Sequence, residues 1–309
     1  MTIINAVGSL PGLGRLILNH VICSENSVES AKLIDDLLPE PLRTGLDPLL
    51  NLNSTLIALK GAGLLQESES VFSTTRLVDT VAGGEPVGPE RFRRLLQRSI
   101  AASIDDDPWI LAEGDTLTSG TKDLTRALSW FLAQDVQQTF TWDKTGRGLV
   151  SAEVLQREQL PNEQLLHPFA NDVRWGIFGR WATALGMAEP ALAGTGLHPD
   201  AIVAIRDVTG EMPPDTYKID DYLSALGRHL PVINGGALHT SLLQHTSEPD
   251  PDASNGWLDS SVAQALIGLE EEKLITILPV KADASSRTIG LGSEPRRVTH
   301  VRINQEGPR

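Results

Sequence analysis

A single cysteine, Cys23, occurs in 309 residues, so no intrachain disulfide can form. That fits a chain folded in a reducing cytoplasm. Cys23 follows Leu16, Ile17, Leu18, Val21 and Ile22, and its expected place is the apolar core. No run approaches the roughly 18 apolar residues of a membrane helix. The N-terminus is not expected to be a secretion signal, because Arg15 comes late and Asn19 and His20 interrupt the apolar run. Aromatics make up only 5% of the chain, so Leu, Ile, Val and Ala must fill the cores. Basic residues are few: 26 Lys and Arg face 40 Asp and Glu, a net charge of −14. Such a surface repels the phosphate backbone, so any nucleic-acid contact must come from a local basic patch. The short motifs of common enzymes are missing too. There is no phosphate-binding glycine loop, nucleophile elbow, zincin motif or Cys-based zinc spacing. The expectation is a non-enzymatic protein with no cofactor and no metal.

With 40% hydrophobic and 21% charged residues, the chain suits two or three small folded domains. Residues 13–23 read as a short apolar helix. Ser27 is the expected N-cap of a second helix through Val28, Ala31, Leu33, Ile34, Leu37 and Leu38, stopped by Pro39 and Pro41. A third is expected over 53–62, followed by a polar turn at 67–70 and an alternating strand from Val71 to Val78. Residues 79–89 read as a linker. Amphipathic helices follow at about 90–104 and about 121–140, the latter with Leu124, Leu128, Phe131, Leu132, Val136 and Phe140 inward. Another carries Val173, Ile177, Trp181 and Leu185, and His198-Pro199-Asp200 opens a short one. The last third repeats the opening pattern. Helices are expected at 219–229, at 235–245 and from Ser260, then a strand Leu274–Leu278, a turn at 282–286, a partner strand Thr288–Leu291 and a further one at Val298–Ile303.

One internal echo stands out. Leu56, Leu59, Leu64 and Leu65 share their spacing with Leu266, Leu269, Leu274 and Ile275. In both, a helix with Leu at i and i+3 runs into an apolar pair and a hairpin, the order in which the third helix of a winged helix turns into its wing. A two-stranded hairpin is marginal alone and must pack on helices. The expected fold is mainly α with small β-hairpins, an α+β chain. It has a winged-helix-like unit at 1–80, a helical middle at 81–210 and a second winged-helix-like unit at 211–309.

Several groups can carry chemistry. Asp105–Asp107 with Glu113 and Asp115 offer oxygens to a divalent cation but lack the glycine spacing of a calcium loop; a solvated helix end is the ordinary reading. His239 and His245 with Asp250 and Asp252 admit a metal reading, against the default of surface histidines. His167-Pro168 reads as turn chemistry. Trp130 and Trp181 fit a core, whereas Trp175 falls largely on another helix face and is a candidate partner contact. The basic clusters are Arg91, Arg93, Arg94 and Arg98, and Arg287, Arg296, Arg297, His300 and Arg302, partly neutralised by Glu90 and Glu294. A basic wing can grip phosphates beside a groove-bound helix. Base readout wants Arg, Lys, Asn or Gln at the exposed start of that helix. The first candidate offers Asn53, Ser54, Thr55 and only Lys60; the second offers Asp259 and Gln264, then Glu270-Glu271-Glu272. An acidic exposed helix favours a protein partner.

Paired winged helices in an acidic chain resemble the tandem winged-helix subunits of bacterial chromosome-organising and plasmid-defence ATPase complexes, which bind a partner subunit rather than read DNA. Ile4-Asn5 with Leu10-Pro11-Gly12-Leu13, and Asn171-Asp172-Val173-Arg174-Trp175 before Trp181, resemble the DpdG family. That family accompanies bacterial gene clusters that insert deazaguanine bases into DNA and restrict unmodified DNA. The resemblance transfers no catalytic residue. It implies an accessory role in DNA modification, restriction or antiviral defence, beside an ATPase, nuclease or modification enzyme. Two readings stay open: a scaffold or adaptor subunit of such a complex, with weak DNA contact at most, and a direct DNA-binding regulator. A hydrolase with a dispersed site has only the Asp and His clusters behind it.

Overall fold

The computed structural model describes residues 2–45, 47–102, 107–109, 120–160, 167–192, 195–246, 256–278, 285–290 and 295–304. The chain divides into two units, Met1–Leu124 with Val173–Leu185, and Thr125–Asp172 with Gly186–Arg309. Helices dominate, and the described strands form four small sheets. The architecture is α+β.

The first unit opens with α1 (Pro11–Cys23), which has Pro11 in its first turn, a position where a missing N–H costs nothing. Ile17, Leu18, Val21 and Ile22 turn inward. Leu16 is exposed, and Cys23, seven residues on, shares its face. Cys23 is therefore a surface thiol and not the core residue expected. Glu25 and Asn26 then take left-handed φ of 57° and 64°. This reverses the chain into a strand, β1 (Ser27–Glu29), whose Val28 lies opposite Phe72. Ser27 consequently pairs in a sheet and caps no helix. The second helix, α2 (Ser30–Leu37), starts three residues later and buries Leu33 alone. α3 (Leu50–Gly61) leads into β2 (Leu65–Ser68) and β3 (Val71–Thr74). Glu69 and Ser70, φ 49° and 65°, form the two-residue turn between these strands, the geometry that suits hairpin twist. The strand expected to reach Val78 stops at Thr74. Thr74 Oγ1 donates to Asp79 Oδ1 at 2.6 Å, and the supposed linker begins as α4 (Arg76–Ala82). α5 (Pro89–Ala101) follows, with Phe92, Leu95, Leu96 and Ile100 buried.

α6 (Lys122–Leu132) was expected to run to Phe140. It stops because Gln134 turns back on it, giving its backbone N–H to Phe131 O and its side-chain amide to Trp130 O. Phe140 is still core, but from β4 (Thr139–Thr141), meeting Phe131 edge-on at 5.8 Å. β5 (Leu149–Ser151) and α7 (Ala152–Gln159) follow, then α8 (Asp172–Leu185), β6 (Ala188–Pro190) and β7 (Leu197–Pro199). The sheet runs β5-β4-β7-β6, with only β4 and β5 parallel. His198 thus sits in a strand. The next helix, α9 (Ile202–Glu211), starts after it, with Asp200 Oδ1 accepting Ile202 N–H at 2.7 Å. His167 Nε2 lies 3.1 Å from Leu160 O.

The second unit continues through β8 (Thr216–Lys218), α10 (Ile219–His229), α11 (Ala237–His245), α12 (Ser260–Glu271), β9 (Ile275–Leu278), β10 (Arg287–Ile289), β11 (Arg296–Val298) and β12 (His300–Ile303). The expected pairing of β9 with β10 does not occur. β9 pairs with β12, whose far edge takes β8, and β10–β11 form a separate ribbon.

The echo in the sequence is an echo in the backbone. Strand order β1-β3-β2 corresponds to β8-β12-β9. Leu65 opposes Thr74 as Ile275 opposes Ile303, and Val28 opposes Phe72 as Tyr217 opposes Val301. The first helix after the edge strand is tied alike: Ser30 N–H to Ser70 O and Ile219 N–H to Thr299 O, both 2.8 Å. α3 and α12 end on the same left-handed residue, Gly63 at φ 64° and Lys273 at φ 62°, the usual stop for a helix turning into a strand. Leu64 and Leu274 then return their N–H to Leu59 O and Leu269 O, each at 3.0 Å. The later copy has two insertions, α11 before its third helix and the β10–β11 ribbon within its hairpin.

Candidate functional site

Helices α3 and α12 are the ones expected from the sequence to be reading helices, so their exposure decides what they can touch. In α3, Ser54 and Thr55 are buried. Ser54 Oγ donates to Val7 O at 2.5 Å, and Thr55 Oγ1 accepts Leu10 N–H at 3.1 Å. The N-terminal arm therefore lies across the helix. Lys60 is held by Glu67 Oε2 at 2.6 Å. In α12 no residue from Ser260 to Glu270 is exposed. Ser260 Oγ accepts Val136 N–H at 3.0 Å, and Ser261 Oγ donates to Leu132 O at 2.6 Å. The start of α12 is thus engaged by the chain itself, whereas α3 engages Ser54 and Thr55 and leaves Leu50, Asn51 and the candidate reader Asn53 exposed.

The first arginine cluster rides on α5. Arg91 and Arg98 are exposed and Arg94 is half-buried, at helical spacing along one face. Arg91 stands 3.6 Å from Glu85 Oε2. The second cluster is split. Arg287, on β10, meets Asp220 Oδ1 at 2.7 Å, and Arg296, on β11, meets Glu270 Oε2 at 2.6 Å. Glu294, expected to neutralise this cluster, lies outside the described residues. Arg297 and Arg302 are exposed and make no ion pair among the described residues. They stand on different sheets, Arg297 opposite Thr288 and Arg302 between Thr216 and Thr276. The outer face of β8-β12-β9 also carries Lys218 and the half-buried His300. Its inner face buries Ile275, Ile277, Val301 and Ile303.

Trp175, read from the sequence as a partner contact, is 3% exposed. It packs on Phe178 with ring centroids 5.8 Å apart. The buried stripe of α8 is wide enough to hold Trp175 and Trp181 together, and Trp181 Nε1 donates to Ser9 Oγ at 3.0 Å.

His239 corrects a second expectation. It is 4% exposed, with Nε2 2.7 Å from Asp259 Oδ2. It lines a cleft of about 200 Å³ between α10, α11 and β10 that local sequence gives no hint of. Asp220 stands at its edge. Hydrogen bonds from Ser285 and then Arg287 hold that carboxyl below its ordinary pKa of 3.8, against partial burial. Asp250 and Asp252, offered as metal partners of His239, lie outside the described residues, as do Asp105, Asp106, Glu113 and Asp115. Among the described residues no group of three or more His, Cys, Asp or Glu side chains is placed to hold a metal. Nor is any described helix long and apolar enough to cross a membrane.

Neither the curated proteins nor the solved structures gave a match. The family model described as DpdG-like matches residues 1–284, nearly the whole chain, and the chain belongs to the DpdG-like family.

Proposed function

We propose that the chain is a non-enzymatic scaffold or adaptor subunit of a bacterial DNA-modification or restriction complex, and that its two copies of one helix-and-hairpin pattern are winged helices used for protein contact. Family membership supports a place in a DNA-modification gene cluster. The observation that carries the scaffold reading is the covering of α12, together with the engagement of Ser54 and Thr55 in α3, which leaves only Asn51 and Asn53 as exposed polar groups at that helix start. A reading helix must offer polar side chains to base edges, and here Ser54, Thr55, Ser260 and Ser261 bond to the chain's own backbone. Net charge of −14 adds long-range repulsion from phosphate. The partners are other proteins of the complex, such as its ATPase, nuclease or modification enzyme.

The second reading, a direct DNA-binding regulator, is favoured by Arg297 and Arg302, exposed and without ion pairs among the described residues. Fluorescence anisotropy with random duplex at near-physiological salt separates the two. The expected dissociation constant is about 10⁻⁶ M or weaker, and one below about 10⁻⁷ M exceeds ordinary non-specific binding and overturns the scaffold reading. Co-expression with the other proteins of the cluster should then yield a complex that survives gel filtration.

A further inference from the structure

We propose that the cleft between α10, α11 and β10 binds a carboxylate carried on an apolar body. The case rests on which polar atoms are already engaged. Asp220 uses both carboxylate oxygens internally, accepting Arg287 Nε at 2.7 Å and Ser285 Oγ at 2.6 Å. Asn234 Oδ1 accepts Asp259 N–H at 2.8 Å. The Asp259 carboxylate lies against His239 Nε2 at 2.7 Å. The carboxylate and amide oxygens of Asp220, Asp259 and Asn234 are therefore committed, and the nitrogen donors beside them are not. The two terminal nitrogens of Arg287 and the amide nitrogen of Asn234 have no acceptor among the described residues. A pocket whose spare capacity is donors selects a ligand rich in acceptors, and a guanidinium edge is shaped for the two oxygens of a carboxylate.

The walls restrict that ligand further. Leu223, Leu243, Leu258 and Trp257 line the same cleft. Apolar side chains thus share the lining about equally with the polar Asp220, Ser224, Asn234, His239 and Arg287. A bare phosphate would leave these walls wet, and a dianion would feel the Asp220 carboxylate beside Arg287 more strongly than a monoanion does. The cleft has a volume of about 200 Å³ and accommodates a group the size of one amino-acid side chain. The floor is stiff: Gly235, at φ 86°, lies so close to α10 that an added Cβ would stand 2.6 Å from Leu223 O. The required chemistry is thus a carboxylate with one apolar substituent, which either a small organic acid or the C-terminal residue of a polypeptide supplies.

Isothermal titration of the full-length protein tests this with two probes, indole-3-propionate for the small acid and acetyl-Gly-Gly-Leu with a free carboxylate for the chain terminus. At least one should bind saturably in about the high-micromolar to millimolar range, the affinity expected of so small a ligand. The tighter of the two identifies the source. The matching primary amides should bind at least tenfold more weakly, as should the free acids to Arg287→Met. Leu243→Trp, which fills the cleft and leaves the Asp220–Arg287 pair in place, should abolish binding even if Arg287→Met fails to fold. Absence of binding by both acids at 10 mM overturns the proposal. So does equal binding of acid and amide, or undiminished binding by Leu243→Trp.

Discussion

Replacing Asp123 with Asn removes one negative charge and hardly any volume, and it should cost more stability than any exposed substitution in this chain. Asp123 stands in the first turn of α6 and is buried. Its Oδ1 accepts the N–H of Ile3 at 3.2 Å and of Leu124 at 2.7 Å; its Oδ2 accepts those of Ile4 at 2.7 Å and Asn5 at 3.1 Å. One carboxylate thereby anchors the segment that leads to α1. An asparagine keeps one acceptor oxygen and turns an NH₂ group toward the other pair of N–H groups. At about 1–3 kcal/mol for each buried donor left unsatisfied, two of them give a loss of about 2–6 kcal/mol. Urea unfolding followed by circular dichroism measures it, and a loss under about 1 kcal/mol would refute the claim that the arm is held here. The pH dependence follows from the direction of the pKa. Burial raises the carboxyl above its ordinary 3.8, outweighing the hydrogen bonds from Thr2, Ile4, Leu124 and Asn5 that lower it. The folded state then holds this proton more tightly than the unfolded state does. The contribution is complete below the unfolded pKa and is lost as pH rises through the raised folded value. Asp123→Asn has no such step, so the stability gap between wild type and variant should widen on acidification. A gap that narrows would contradict the raised pKa.

The remaining predictions exploit the internal repeat and the basic surface. Gly63 and Lys273 occupy one left-handed position in two contexts, and an added Cβ at Gly63 meets nothing within 4 Å. Lys273→Gly should therefore stabilise, and Gly63→Ala destabilise, each by about 1 kcal/mol, read as opposite shifts of the urea midpoint. Arg297→Ala with Arg302→Ala should leave the melting temperature nearly unchanged, because exposed charges contribute little to folding. The double variant should weaken assembly with the partner; loss of one phosphate contact would instead lower the salt slope of DNA binding by about 1.

Much of the fold was legible wherever a helix was long and one-sided. α5 and α10 show their apolar stripes directly, and the Leu repeat foretold the equivalence of α3 and α12 before any strand pairing was known. Strands of three residues were not legible. Thr139–Thr141, Leu149–Ser151, Ala188–Pro190 and Leu197–Pro199 are too short to establish a period of two, and their pairing is a tertiary matter. β9 was assigned to its nearest alternating neighbour because sequence reading favours short connections. The structure instead carries it past the β10–β11 ribbon to β12. Trp175 reads as exposed only if the buried stripe of α8 is narrow, and that stripe is wide. The cleft had no signature at all, since Asp220, Asn234, His239, Trp257 and Arg287 come from five separate segments.

The two copies of the helix-and-hairpin pattern also constrain how the chain can act. In each, the polar start of the third helix is tied to backbone from elsewhere in the same unit: Val7 and Leu10 for α3, Leu132, Gln134 and Val136 for α12. The covering is complete only for α12; α3 keeps Leu50, Asn51 and Asn53 exposed beside its engaged Ser54 and Thr55. Uncovering either would leave buried backbone groups without partners, at about 1–3 kcal/mol each. Duplex DNA would have to supply that cost against a chain of net charge −14. Binding at the outer sheet face, with exposed Lys218 and Arg302, or at the α5 face, with exposed Arg91 and Arg98, needs no such uncovering. On the proposed reading, acidic side chains of a partner reach these exposed basic positions without any rearrangement of the core.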